Sequence, residues 1–436
     1  MNPRPPLLHA IMPPFDRFNA PRLSYPELQQ TVDRYCSDEY KAVDGGFVRF
    51  HSDDEVAADT LPQKYLPVLA LKIQQAETDE ERTMWSQRFT DLSVRLFGQP
   101  NLNEAIAIAN YDLKALKTIW QKHDISASVV EPMFKMYQRF IKQMPTKEPI
   151  APRPQYTALL TALRAHLVER LAPVYAVMAE YEEGDVMDAE TIRWHYAQML
   201  SQLAVFAPVW KKWRVVASES AQMAVSPRYK EIQVGAYLPS LTVRRVKSLF
   251  THEVLVHAQR SVRGAIYDHQ LAYGLPGYVT AEEGLGMLME AAVEGKMPYR
   301  AGDRYVDIAM ALGLSDQPPV NRHQLFPVVY ARTLLRRLDE GAPIDHDLIN
   351  RASWQHINRI YRGTLGNEFV GVFTKDVIYY RGYRKMADYL SRYQGPDLRQ
   401  AIDFVLSGKI NPADPVHRLY MHERKFNIIR KEEPNV

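Results

Sequence analysis

Residues 251–257 read Thr251-His252-Glu253-Val254-Leu255-Val256-His257, a His-Glu pair followed by a second histidine five positions after the first. The stretch differs by one residue from the metal-binding signature H-E-x-x-H. In that signature the histidines stand four apart, ~40° from each other around a helix, so both imidazoles grip one ion and the Glu reaches its water. A spacing of five turns the second ring ~140° away on a regular helix of about 100° per residue. The stretch is then either an ordinary part of a buried helix or a metal site on a helix that is widened or broken between His252 and His257. A π-type turn meets the second condition, because it makes positions i and i+5 neighbours.

The surrounding pattern places the stretch on a helix. Arg214–Ala217 and Lys230–Tyr237 are short, β-branched or alternating, and bounded by Ser and Pro, so they read as strands. Ser240 or Thr242 can cap a helix running from about Val243 to Val262. Upstream, Tyr156–Glu183 and Ala189–Ala207 read as a helical hairpin, with Leu159, Leu163, Leu167 and Leu171 on one apolar face. Four prolines between Met144 and Pro154 mark a boundary, and residues 1–22 read as an extended proline-rich arm. The expectation is a mainly α protein with a small antiparallel sheet (α+β). It would comprise the arm, a mostly helical region over 23–150 and a site-bearing region over 151–436, with a further apolar helix from 281.

Composition narrows the function classes. With 54 basic and 51 acidic residues the net charge is only +3, and no basic block concentrates it, which argues against nucleic acid. The single cysteine, Cys36, precludes an intrachain disulfide and any cysteine-rich metal cluster. No apolar run approaches the ~18 residues of a membrane helix, and prolines interrupt the N-terminus where a signal peptide needs an apolar core. The expectation is a soluble, cytoplasmic protein that binds neither nucleic acid nor membrane. The sequence carries no signal for its oligomeric state.

A third ligand is to be sought downstream, because zinc hydrolases use three protein ligands and leave one position open. Thr280-Ala281-Glu282-Glu283-Gly284-Leu285-Gly286 starts an apolar helical pattern. One reading makes Thr280 a helix cap, with Glu282 and Glu283 complementing the positive helix end. The other makes one Glu a ligand and uses Gly284 for close approach to the first helix.

H-E-x-x-x-H followed a few tens of residues later by E-E-G-L-G resembles the DUF1704 family, which includes proteins with a QEGLA motif and the microtubule-associated tyrosine carboxypeptidases. Arg359-Ile360-Tyr361-Arg362-Gly363 and the block from Phe373 to Gly382 also look like family blocks. The resemblance covers about residues 230–390. Gly286 stands where the family usually has Ala, which reads as a minor change, and Arg263-Gly264 replaces an expected Asn-Gly. The resemblance implies a zincin-like core with Zn²⁺ held by His252, His257 and Glu283, and Glu253 as general base in peptide hydrolysis. Glu282 is then the rival third ligand or a supporting carboxylate.

The implied substrate is the C-terminus of a peptide or protein, ending in tyrosine or another aromatic residue. Its carboxylate needs Arg or Lys, and Arg362, Lys375 and Arg381 are the candidates. Tyr379 and Tyr380 are candidates to bind substrate and donate to the oxyanion, Asp376 to orient a ligand histidine, and the strand Lys230–Tyr237 to pair with an extended substrate as an edge. His269 is a weaker rival ligand, while His323 and His356 read as structural. The alternatives are a zinc aminopeptidase using Glu282 to hold the substrate amine, a narrow endopeptidase, or a non-catalytic metal-stabilised scaffold.

Overall fold

The computed structural model describes residues 66, 69–142, 154–220, 222–275, 277–314, 318–339, 341, 344–361 and 371–421. The expected arm over 1–22, Cys36, the proline-rich stretch up to residue 153 and Arg362 lie outside these residues.

After a helical stretch over 69–75, the chain continues with α1 (Asp79–Phe97), α2 (Leu102–Lys122), α3 (Ala127–Ile141) and α4 (Pro154–Tyr175). Next come β1 (Val186–Met187), α5 (Ala189–Phe206), β2 (Arg214–Ser218), β3 (Met223–Ser226), β4 (Glu231–Gly235) and β5 (Leu241–Thr242). A continuous helical run follows as α6 (Val243–Phe250), a π-helical segment (Thr251–Ala258) and α7 (Gln259–Tyr267). Then come α8 (His269–Tyr273), α9 (Val279–Glu294), α10 (Tyr299–Ala311), α11 (Arg322–Asp339), α12 (His346–Ile360), α13 (Val377–Leu390) and α14 (Gly395–Val405), and residues 415–421 are helical as well. The protein is therefore mainly helical with a small sheet. None of the described helices is long and apolar enough to cross a membrane.

The chain forms two compact units, residues 1–151 with 299–377 and residues 152–298 with 378–436. The sequence reading kept 151–436 together, whereas compactness groups 299–377 with the N-terminal part.

In the first unit α2, α3, α10, α11 and α12 pack around a buried charge cluster as well as an apolar core. Asp307 accepts from Arg332 Nη1 (3.0 Å) and Nη2 (2.5 Å) and lies 2.6 Å from His356 Nε2. Arg332 also donates to the Tyr137 hydroxyl (2.7 Å). Arg336 pairs with Asp303 (2.6 Å) and Asp112 (3.3 Å). His356 is thus structural, as its lack of a partner motif suggested.

Three carboxylates face two guanidinium groups in this cluster, so one negative charge is in surplus. It falls on Asp112, whose carboxyl is pushed up to about 7 by burial and by Asp303, against the pull of Arg336 and Arg332. Because the folded pKa lies above the unfolded one, the stability from protonated Asp112 is complete below ~4 and is lost as pH rises through about 7. Denaturant unfolding from pH ~4 to ~8 should show wild type losing stability relative to Asp112→Asn. Parallel pH curves for the two proteins would show that Asp112 is ionised in the fold.

The second unit is built on α9, whose residues from Ala281 to Ala292 are nearly all buried. It packs against α4, α6 and the π segment. The four leucines at 159, 163, 167 and 171 are buried along α4, as their spacing predicts.

The three-stranded sheet has the order β2-β4-β3, with β2–β4 parallel and β3–β4 antiparallel. It is therefore mixed rather than antiparallel, and β3 was not foreseen. β4, expected to be an edge, is central because both of its sides are paired; the edges are β2 and β3. β3 packs against the π segment. A separate antiparallel pair, β1–β5, joins the hairpin loop to the start of α6.

Candidate metal centre

The run that carries the opening motif is anchored where it starts. The first backbone N–H groups of a helix lack intrahelical partners. Here Thr242 Oγ1 accepts from Arg245 N (3.3 Å), and Asp185 O and Glu183 O accept from Val243 N (2.8 Å) and Arg244 N (3.1 Å). Widening begins at Thr251. Its hydroxyl donates to Lys247 O (2.8 Å) and lies 2.7 Å from the Tyr175 hydroxyl, which also donates to Lys247 O (3.0 Å). A threonine bonding back to a carbonyl four residues earlier competes with the regular ladder and bends helices. The π segment then spans both histidines, so the wide turn that the five-residue spacing demands is present.

His252 and His257 consequently face each other, with their Nε2 atoms 3.0 Å apart. Glu283 Oε2 lies 3.6 Å from one and 3.7 Å from the other. Ligands on a tetrahedral zinc, with bonds of ~2.0–2.1 Å, stand about 3.3 Å apart. The donor set fits that ion. His252 Nδ1 is 2.5 Å from Glu290 Oε1, and His257 Nδ1 is 2.7 Å from Glu282 Oε1.

With a carboxylate as acceptor behind it, each Nδ1 turns its proton outward, and the two Nε2 atoms face each other. Two lone pairs at 3.0 Å repel unless a cation or a proton lies between them. The same drive toward positive charge shows in His252. Burial opposes its protonation, but Glu290 and Glu283 outweigh that and push its pKa up to about 10.

One face of α9 supplies these groups. Positions 283, 286 and 290 are spaced i, i+3 and i+7, so they share a helix face. Glu283 meets Nε2 of His252, Glu290 meets Nδ1, and the ring lies across Gly286 between them. A Cβ on residue 286 would sit 2.6 Å from His252 Cε1 and 2.7 Å from both ring nitrogens. The glycine that reads as a minor departure in the sequence is thus the floor under the His252 ring.

Gly284 has another role than the one expected. Its Cβ would fall 2.1 Å from the Gly382 carbonyl carbon, so it admits α13 rather than the motif helix. Thr280 does not cap α9 either, because the helix starts at Val279, after Tyr278.

The carboxylates behind the rings are themselves held by cations. Glu290 Oε2 accepts from Arg245 (2.5 Å), which also donates to Glu294 (3.1 Å) and Ser248 (3.1 Å). Glu282 accepts from Lys409 Nζ (2.6 Å) and Arg260 Nη1 (3.0 Å). Burial alone would raise the Glu282 pKa, but Lys409, the His257 hydrogen bond and Arg260 hold it well below the usual carboxylate range. Glu282 is therefore committed to orienting His257.

Glu253 takes no hydrogen bond among the described residues. Burial, together with Glu283 and Glu290, pushes its pKa up against the pull of the two histidines.

Other expected site residues fall elsewhere. Asp376 orients neither histidine: it pairs with Arg359 (2.7 Å) and Arg304 (3.2 Å) in the first unit, where Lys375 adjoins it. Tyr379 and Arg381 are half-buried on α13, and Tyr380 is buried with its hydroxyl accepting from Arg384 (3.4 Å). His269 packs against Tyr273, with ring centroids 4.6 Å apart and the rings tilted by 42°. Glu290, Arg245, Arg260 and Lys409 escaped the sequence reading. Only Glu290 carried a usable signal there, its place two turns beyond Glu283 on the same helix face.

Residues 344–428 match the family model of microtubule-associated tyrosine carboxypeptidase. The match takes in both blocks after Arg359 and stops short of His252, His257 and Glu283. It reaches the centre through Lys409 on Glu282 and Gly382 against Gly284. No curated protein and no solved structure matches the chain.

The floor under His252 sets an expectation. Gly286→Ala should weaken zinc binding by ~10- to 100-fold, the range seen when groups supporting a ligand are lost, with little change in helix content. Competition with a chromophoric chelator measures it, and unchanged affinity would mean that the ring is not held against this glycine.

Proposed function

We propose that this centre binds zinc and serves a metallocarboxypeptidase that removes a C-terminal residue, tyrosine or another aromatic, from a peptide or protein. The observation that carries the reading is the pair of imidazole Nε2 atoms facing each other at 3.0 Å beside Glu283, each ring locked from behind by a carboxylate. The match to a tyrosine carboxypeptidase family model supports the reaction class.

His252 and His257 through Nε2, and Glu283 through its carboxylate, would hold the ion. Zinc, when bound, supplies Lewis-acid polarisation of the scissile carbonyl and lowers the pKa of a water toward ~7. Glu253, raised by its surroundings, would serve as the base that accepts a proton from the attacking water at its carboxylate and returns it to the leaving nitrogen. Glu290 and Glu282 keep both Nδ1 protons in place, so neither ring rotates away while charge develops. β3, at the sheet edge against the π segment, offers main-chain groups to an extended substrate. Arg381 is our candidate for the terminal carboxylate, next to Gly382 where α13 meets α9 one residue from Glu283. Tyr379 and Tyr380 flank it as candidate donors.

The alternatives have less support. An aminopeptidase would need Glu282 for a substrate amine, yet that carboxylate is buried and occupied by His257, Lys409 and Arg260. A scaffold with a purely structural metal has no use for an unbonded acid beside a ligand.

Metal analysis and peptide assays on wild type and Glu253→Gln test the proposal. Wild type should carry stoichiometric zinc and release the last residue of peptides ending in Tyr or Phe. The variant should keep zinc and lose ~10²- to 10⁴-fold in kcat. A wild type without zinc sinks the ligand set. Zinc-loaded protein that trims only N-termini would replace the carboxypeptidase with the aminopeptidase.

A further inference from the structure

Lys409 lies far along the chain from the metal-site motifs, and no motif points to it. It is nevertheless 5% exposed overall, in a segment fastened to the second unit from several directions. Its backbone N–H donates to Leu271 O (2.8 Å), and its carbonyl accepts from Leu275 N (3.0 Å). Arg260 donates through Nε to Gly408 O (2.8 Å) and through Nη2 to Ile410 O (2.5 Å), gripping the carbonyls on either side. This framing points the ammonium group at Glu282 Oε1, the same oxygen that receives the His257 Nδ1 proton. Tyr278 lies under it, with the ring centroid 5.5 Å from Nζ.

We infer that Lys409 is a positioning residue for the candidate metal centre, acting on His257 through Glu282. The inference rests on the zinc reading above and assigns a role to the C-terminal segment that carries the lysine.

The chemistry follows from the shared oxygen. A carboxylate that receives only an imidazole N–H competes for that proton and draws the ring toward itself. A cation on the same oxygen withdraws electron density and fixes the carboxylate in place, so the proton stays on Nδ1 and the Nε2 lone pair stays aimed outward. Behind His252, Arg245 donates to Oε2 of Glu290, while the ring's Nδ1 faces Oε1. Lys409 therefore bears on one ligand and not on the other. A lysine that merely filled space would affect both rings alike or neither.

Lys409→Met keeps the apolar stem and removes the charge, and Lys409→Arg restores a cation. Zinc affinity, measured by chelator competition on the full chain, should fall ~10- to 100-fold in Lys409→Met and recover in Lys409→Arg. Metal-free protein gives an independent reading. In ¹⁵N-histidine spectra the His257 ring signals, assigned through His257→Ala, should move in Lys409→Met while those of His252 stay in place.

Equal zinc affinity in wild type and Lys409→Met, with His257 signals unchanged, would overturn the inference. So would a loss that moves both rings together, the mark of general loosening. If wild type binds no zinc, the zinc reading fails, and the histidine spectra still decide whether Lys409 positions His257.

Discussion

Two imidazole rings that turn their outer nitrogens to carboxylates and their Nε2 atoms to each other across 3.0 Å form an arrangement that calls for charge between them. It persists only if positive charge lies between the rings and if surrounding groups prevent either ring from turning. Both requirements propagate outward. Each ring needs an acceptor behind it, each acceptor is a buried carboxylate, and a buried carboxylate needs a cation. Glu290 with Arg245, and Glu282 with Arg260 and Lys409, are the consequence. Charge alternates in shells from the ligand edge to helices α6, α7 and the segment after α14.

Backbone geometry answers the same constraint. The π segment brings histidines five residues apart onto one side of the helix, and the bonds among Thr251, Tyr175 and Lys247 mark where the ladder widens. Gly286 lets the His252 ring lie against α9. Gly284 and Gly382 let α13 approach the same helix until their backbones touch, next to Glu283. Side chains at these three positions would push apart the elements that carry the ligands and their neighbours.

The first unit handles buried charge differently. Its carboxylates and guanidinium groups pair directly and leave one acid in surplus on Asp112. In the second unit the surplus acceptors converge on a gap between two rings. A closed ion network holds helices together, whereas an open one is suited to binding a cation.

By itself the sequence determined the mainly helical class with a small sheet, the leucine face of α4, a cap at Ser240 or Thr242 and the condition that the helix widen or break between His252 and His257 if both are to meet one ion. These are local properties, readable because propensity, capping and residue spacing act over a few neighbouring positions. The same local rules misread β4 as an edge, Thr280 as a cap and Gly286 as a minor change, because pairing partners and ring positions are set by distant chain. Asp376 looked like a support for the ligands and instead pairs with Arg359 and Arg304 in the other unit. Only the tertiary structure selected Glu282 and Glu290 as the carboxylates behind the rings and brought Lys409 to the first of them, 127 residues away in sequence. Those choices depend on which helix faces meet and on which buried charges must be balanced, and no spacing along a single chain encodes either.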